Sequence, residues 1–263
     1  MNYEFHENEV KELGPGVWMR VGIDNIAWFD LGGTAAVIDA LEEAEQADVV
    51  RALIKETTGQ DLKYVVTTHW DTDHIACNPQ WKREGAPVIA HESCAQSARE
   101  AGWEEGAPDI TYPATATLYG SGERKIEMRW VGGTHTQWDT ILHFPSARVL
   151  HIADLFLWGL FPCKPTPQKI ERYREILRII KSYDVDALIN GHGPSLDMSC
   201  IRRFEEYFEM MLQKVVPLAA KGLSAAEIEA QVPPPADMEH WFRFTAWKHA
   251  KNIEMIIEET PRG

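Results

Sequence analysis

One octet of this chain, Thr67-Thr68-His69-Trp70-Asp71-Thr72-Asp73-His74, concentrates side chains that can do chemistry. Two imidazoles and two carboxylates fall within six residues, directly after the apolar run Leu62-Lys63-Tyr64-Val65-Val66. A buried strand that ends there can aim those side chains into a cleft. Imidazole and carboxylate together, with no thiolate, suit a borderline or hard divalent metal ion. Taken alone, the octet also admits a plainer reading as a polar turn whose His and Asp are solvated, or cap a helix that starts near Ile75.

Three later segments each add one ligand-type residue: Gly132-Gly133-Thr134-His135-Thr136, His151-Ile152-Ala153-Asp154-Leu155-Phe156 and Asn190-Gly191-His192-Gly193-Pro194. In order and spacing these four segments resemble the metallo-β-lactamase superfamily. Its pattern is H-x-H-x-D-H, a His after a Gly-rich turn, an Asp at a strand end and a final His. The resemblance runs from the first strands to about Pro194, and it departs at Asp71, which stands where most of the family has its second histidine.

The resemblance implies an α+β fold, an αββα sandwich, and a dinuclear metal centre. His69, Asp71 and His135 would form one metal position; Asp73, His74 and His192 would form the other, with Asp154 bridging. It implies two divalent ions, zinc ahead of iron or manganese, holding a hydroxide that needs no separate general base. Asp73 would position that nucleophile, so Asp73 and Asp154 are the candidate catalytic residues. With three carboxylates and one hydroxide, two divalent ions sum to zero charge, where a histidine at position 71 would leave plus one. The more anionic site shifts preference from zinc toward iron or manganese. This is similar to the flavodiiron proteins, which carry Glu there. Asp is shorter by one methylene and is expected to reach the metal weakly or through water.

The implied function is a metal-dependent hydrolase of a small ester, thioester, lactone or amide. The alternatives are a di-iron redox or oxygen-binding protein with a flavodiiron-like site, or a non-catalytic metal-binding sensor. The expected partner is a small-molecule substrate, with a homodimer as a further option. The formal charge of −14 argues against a nucleic-acid backbone or an anionic membrane as partner. The stretch from Met1 to Glu7 lacks the basic and apolar regions of an export signal, so a cytoplasmic setting is expected. Cys77, Cys94, Cys163 and Cys200 are scattered without a C-x-x-C pair, which fits reduced thiols.

The elements that must position the ligands follow from periodicity. With 263 residues, 44% hydrophobic and 25% charged, the chain is long enough for a full core. Strands are predicted over 17–21, 26–30 and 34–39, into His69, and over 87–90, 115–119, 124–131, 140–144, 148–153 and 186–190. Helices are predicted over 40–56, after His74, through Cys94 and Ala98, and over 169–183. Residues 1–199 are read as the sandwich. Residues 200–263 form a C-terminal helical extension packing on it, with helices over 201–222 and 238–259 separated by Pro233-Pro234-Pro235. Its aromatic residues read as core, with a pocket lid or dimer surface as the alternative. His91, His143 and His151 read as structural or surface residues, and His240 and His249 as surface or lid residues. Trp70 and Trp138 flank the metal loops and could wall the pocket.

Overall fold

The structure, a computed structural model, describes residues 5–261. Of the N-terminal stretch that lacks export-signal character, residues 1–4 lie outside the described residues, as do residues 262–263. Two sheets face each other, with helices on both outer sides, as the α+β sandwich requires.

The first sheet runs in chain order: β1 (Val10–Gly14), β2 (Val17–Arg20), β3 (Ile26–Asp30), β4 (Ala35–Ile38), β5 (Leu62–Val66), β6 (Val88–His91) and β7 (Ile110–Tyr112). Its first four strands pair antiparallel, and β4 to β7 pair parallel. The parallel part needs crossovers, which are α1 (Ala47–Thr58), α2 (Asn78–Arg83) and α3 (Glu92–Ala101). The second sheet has β8 (Thr115–Tyr119), β9 (Lys125–Trp130), β10 (Thr140–Phe144) and β11 (Val149–His151) in antiparallel order. β12 (Ala187–Ile189) returns parallel to β11 through α4 (Pro167–Lys181).

Strand alternation sorts the apolar side chains into layers. On β4, Ala36 and Ile38 point into the space between the sheets, where they join Met19, Phe29, Val66, Leu142 and Phe144. Ala35 and Val37 point the other way, onto Val50 and Ile54 of α1 and onto Trp81. The outer face of the second sheet, with Ile141, Leu150 and Leu188, packs on Tyr173 and Ile176 of α4. The same cluster continues into α5 (Met198–Ala220), α6 (Ala225–Gln231) and α7 (His249–Glu259), so the C-terminal helices share a core with the second sheet. Phe204, Tyr207 and Phe244 are fully buried there. Burial of one such side chain contributes about 1.5–3 kcal/mol.

Two predicted helices are shorter than their periodicity suggests. The run 40–56 enters one 3-10 turn at Ala44 and becomes α-helical only at Ala47, because Asp39 and Leu41 have φ of 65° and 52°. The carbonyls of Ala40 and Leu41 accept instead from the amides of Cys77 and Ala76, at 2.8 and 3.0 Å. The run 238–259 is broken at Arg243, with φ 56°, and passes through one π-turn, Phe244–Lys248, before α7. β1, β7 and α6 were not predicted; α6 carries a capping box from Ser224 and Glu227 that is legible as S-x-x-E. Among the described residues, no helix is long and apolar enough to cross a membrane.

Candidate metal centre

The seven predicted ligands arrive from four segments at the ends of strands. β5 stops at Val66, and Thr67, Thr68 and His69 continue it into the cleft, all fully buried. Asp71 has extended backbone and precedes the 3-10 turn Thr72–His74, which brings Asp73 and His74 back toward His69. The loop between β9 and β10 carries His135. It is held by Asp139, whose carboxylate accepts from the Thr136 amide at 2.8 Å and from the Thr136 hydroxyl at 2.6 Å. After β11 the chain turns sharply at Ala153, with φ 46°, and presents Asp154. A non-glycine residue in that region persists only where its surroundings dictate it. Beyond β12, the loop of His192 is clamped by Asn25, whose amide donates to the carbonyls of Asn190 and Gly193 at 2.8 and 2.7 Å.

All seven side chains converge. Ligand-type atoms of Asp73, His74, Asp154 and His192 lie within 4.8 Å of one another, and so do those of His69, His135 and Asp154. Asp154 belongs to both groups. Its Oδ1 is 3.6 Å from His74 Nε2, and its Oδ2 is 2.9, 3.9 and 4.0 Å from Nε2 of His192, His135 and His69. Asp73 Oδ2 lies 3.4 Å from Nε2 of both His74 and His192. Asp71 Oδ2 lies 3.5 Å from His69 Nε2 and 3.8 Å from His135 Nε2, so the shorter side chain still faces the group containing those histidines.

These residues fit a cation on two observations. His69 Nε2, His74 Nε2 and Asp154 Oδ1 are buried without a hydrogen-bond partner, although buried polar atoms are nearly always paired. Position 191 must be glycine, since a Cβ there would stand 1.9 Å from Asp154 Oδ1 and 2.9 Å from His74 Cε1. The backbone is pressed against Asp154 Oδ1 and the edge of the His74 ring, so any side chain at position 191 would intrude on that contact.

Electrostatics point the same way. Burial alone would lower the His74 pKa, but the charges of Asp39 and Asp154 outweigh it and raise it well above the ordinary histidine value. For His192, burial is likewise outweighed by the charge and hydrogen bond of Asp154, and the pKa rises to about 10. Burial would raise Asp73, yet His74, whose Nε2 stands 3.4 Å from its carboxylate, and the charge of His192 bring it down to about 2. Asp154 lies well below its usual range, because the charges of His192 and His74 overcome burial. A cleft that favours positive charge on its imidazoles also attracts a divalent cation.

Several residues outside the predicted set support this cluster. Asp39, 1% exposed at the end of β4, accepts from His74 Nδ1 at 2.9 Å. It also accepts from the Thr68 amide at 2.7 Å and from the Thr68 hydroxyl at 2.9 Å. That hydroxyl oxygen stands 3.0 Å from His69 Nδ1 and accepts its proton. Asp39 thereby fixes the ring orientation of two histidines, one from each group, and leaves Nε2 as the atom of each that faces the cleft. His192 Nδ1 donates to the Ile23 carbonyl at 2.7 Å, and His135 Nδ1 lies 3.6 Å from Asp139. Asp39 follows an apolar strand as His69 and Asp154 do, so its position was the available signal.

The other histidines and tryptophans stand apart from the two ligand groups. His151 is buried, accepts the Ala153 amide at Nδ1, and is lowered by burial to about 4. His91 stacks on Trp130 at 4.9 Å, and His143 pairs with Glu127 at 2.9 Å. His249 is only 2% exposed and bonds the Tyr207 hydroxyl and the Val232 carbonyl, so its expected surface or lid position is corrected to the core. Trp70 packs edge-on against Trp103, and Trp138 donates to Ser97.

A family model described as the metallo-β-lactamase superfamily matches residues 19–192. The 2,4-dinitroanisole O-demethylase subunit alpha of Nocardioides sp. (strain JS1661) is 27% identical across 61% of this chain. The match takes in 48% of that protein, so the chain spans about half the length of this curated relative. Among solved structures, a metallo-β-lactamase from Pontibacter korlensis superposes with TM-score 0.65 at 22% identity, covering 76% of this chain and 98% of that one. DIM-1 metallo-β-lactamase gives 0.64 at 18%, covering 79% and 99%. The stereoselective inverting sec-alkylsulfatase Pisa1 from Pseudomonas sp. gives 0.72 at 16%, covering 95% of this chain and 50% of that one. At these identities the structural likeness establishes the fold.

Proposed function

Since this chain belongs to the metallo-β-lactamase superfamily, we propose that it is a metal-dependent hydrolase of a small ester, thioester, lactone or amide. The convergence of His69, His74, His135, His192 and Asp73 on the Asp154 carboxylate, with unpartnered imidazole nitrogens of His69 and His74 facing inward, carries this reading. Two divalent ions would supply Lewis acidity and lower the pKa of water toward neutrality. His69, His135 and Asp71 would hold one ion, and Asp73, His74 and His192 the other, with Asp154 between them.

The chain's own residues then have distinct tasks. Asp73, ionised down to about 2, accepts a hydrogen bond from the attacking water and orients it. Asp154, backed by Gly191, keeps the two positions at fixed separation. Asp39 holds the His69 and His74 rings in one tautomer, so neither must rotate during turnover. The relatives named as an O-demethylase of 2,4-dinitroanisole and as a sec-alkylsulfatase support extending the substrate panel to aryl ethers and alkyl sulfates.

The Asp71 carboxylate beside His69 and His135 favours a second reading, a di-iron redox or oxygen-binding centre. Elemental analysis of protein from metal-unbiased medium separates the two. Near two zinc or manganese ions per chain with turnover of chromogenic esters supports the hydrolase. Iron with visible absorption and no ester turnover supports the redox centre, and bound metal with neither property points to a sensor. For the hydrolase, Asp154→Ala should lose metal and at least about a hundredfold of turnover. Unchanged turnover would remove this centre from the reaction.

A further inference from the structure

Beside Asp154 and His192 lies a cavity of about 250 Å3, one wall of which comes from the C-terminal segment that follows Trp241. Leu157 and Leu160 line one part, and Phe242 and Trp247 supply two aromatic rings. Arg243 and Lys248 also border it. We propose that this cavity binds the part of the substrate remote from the scissile bond, an aromatic ring carrying an oxyanion, with the ring against Phe242 and Trp247 and the anion on Arg243. The proposal rests on the hydrolase reading above and names its substrate class.

Two departures from regular backbone structure and one buried charge coincide here. Arg243 is a non-glycine residue at φ 56°, a conformation that surrounding contacts must impose. The next five residues form a π-turn, a feature frequent at functional sites. Lys248, at its end, is 4% exposed and donates to the carbonyls of Leu157 and Phe242, both at 2.7 Å. That buried ammonium ties the two walls together, and burial lowers it to about 7. Glycine makes the close approach possible: a Cβ at position 193, one residue past His192, would meet Phe242 Cδ1 at 2.6 Å. The Phe242 ring is therefore seated directly on the loop that carries His192.

The polarity of the cavity selects the ligand. Its apolar and aromatic walls favour a flat ring, with edge or face contacts from Phe242 and Trp247. Arg243 is exposed, has no ion pair among the described residues, and stands over the Phe242 ring at 5.0 Å. Its guanidinium pairs well with a planar oxyanion. In a chain of net charge −14, a cation without an acidic partner among the described residues, bordering a cavity also lined by Asp154, gives an anionic ligand a counter-charge there.

The test uses zinc-loaded full-length protein and calorimetric titration with 4-methylbenzoate and its neutral isostere 4-methylbenzamide. Wild type should bind the anion at least about tenfold more tightly than the amide. Arg243→Gln should bring the two affinities together, and Trp247→Ala should weaken both; each residue is exposed, so folding is not at stake. An anion-to-amide ratio that Arg243→Gln leaves unchanged, or no binding of either probe to wild type, overturns the proposal. Ester turnover measured in parallel separates the two claims. Wild type with the expected binding ratio but no turnover contradicts the hydrolase alone, and full turnover with an unaltered ratio in Arg243→Gln contradicts the cavity alone.

Discussion

The two proposed metal positions are built from similar residues but are not equally supported. Around Asp73, His74 and His192 the contacts to Asp73 and Asp154 span 2.9 to 3.6 Å. Around His69 and His135 the contacts to Asp71 and Asp154 span 3.5 to 4.0 Å. His74 bonds Asp39 directly and His192 bonds a backbone carbonyl, whereas His69 reaches Asp39 only through Thr68, and His135 stands 3.6 Å from Asp139. Asp71 is also the more exposed carboxylate, at 39% against 25% for Asp73. The change from the family's histidine thus falls on the more loosely held side, where a shorter ligand disturbs least.

This contrast predicts unequal metal affinities. His192→Ala should weaken the tighter ion by more than the roughly 10–100-fold typical of losing an outer partner. His135→Ala should leave one tight ion per chain and lose only the weaker one, as stepwise zinc titration followed by elemental analysis will show. Equal losses in the two variants would erase the distinction.

Asp39 joins what the ligand sets separate. Asp39→Asn should reduce affinity at both positions by about 10–100-fold, while Asp139→Asn should affect only the His135 side. Competition with a chromophoric chelator measures both, and a one-sided effect of Asp39→Asn would break the Thr68 relay. The smallest expected effect is that of Asp71→His, which adds one unit of positive charge to the centre and should raise zinc occupancy over manganese a few fold in mixed-metal medium, about 1 kcal/mol. Unaltered metal preference would remove ligand hardness as a determinant of metal choice.

The difference between the positions also shows what a sequence displays. His69 to His74 are contiguous, so a strand exit carrying four ligand-type residues is visible without tertiary information. His135, Asp154 and His192 were legible through their Gly-rich or strand-end settings and the resemblance they complete. Asp39 was missed because its role depends on β4 lying beside β5. The Ile23 carbonyl had no signal at all, since any residue type supplies a carbonyl.

The C-terminal helices were legible, but the break at Arg243 was not, for another reason. The aromatic run Trp241, Phe242, Phe244 and Trp247 suggested one helix, but Phe242 meets Gly193, and Arg243 and the π-turn absorb that demand. Periodicity reports which face is apolar and is silent on contacts that bend the backbone to meet them. His249 was placed at the surface for the same reason: its partners, Tyr207 and the Val232 carbonyl, lie 42 and 17 residues away.

The most direct measurement is anomalous diffraction from zinc-soaked crystals of the full chain. Two peaks should flank the Asp154 carboxylate, each within about 2.0–2.2 Å of its ligand nitrogens and oxygens, with lower occupancy beside His69 and His135. Peaks elsewhere, or none beside Asp154, would contradict a dinuclear centre built from these seven side chains.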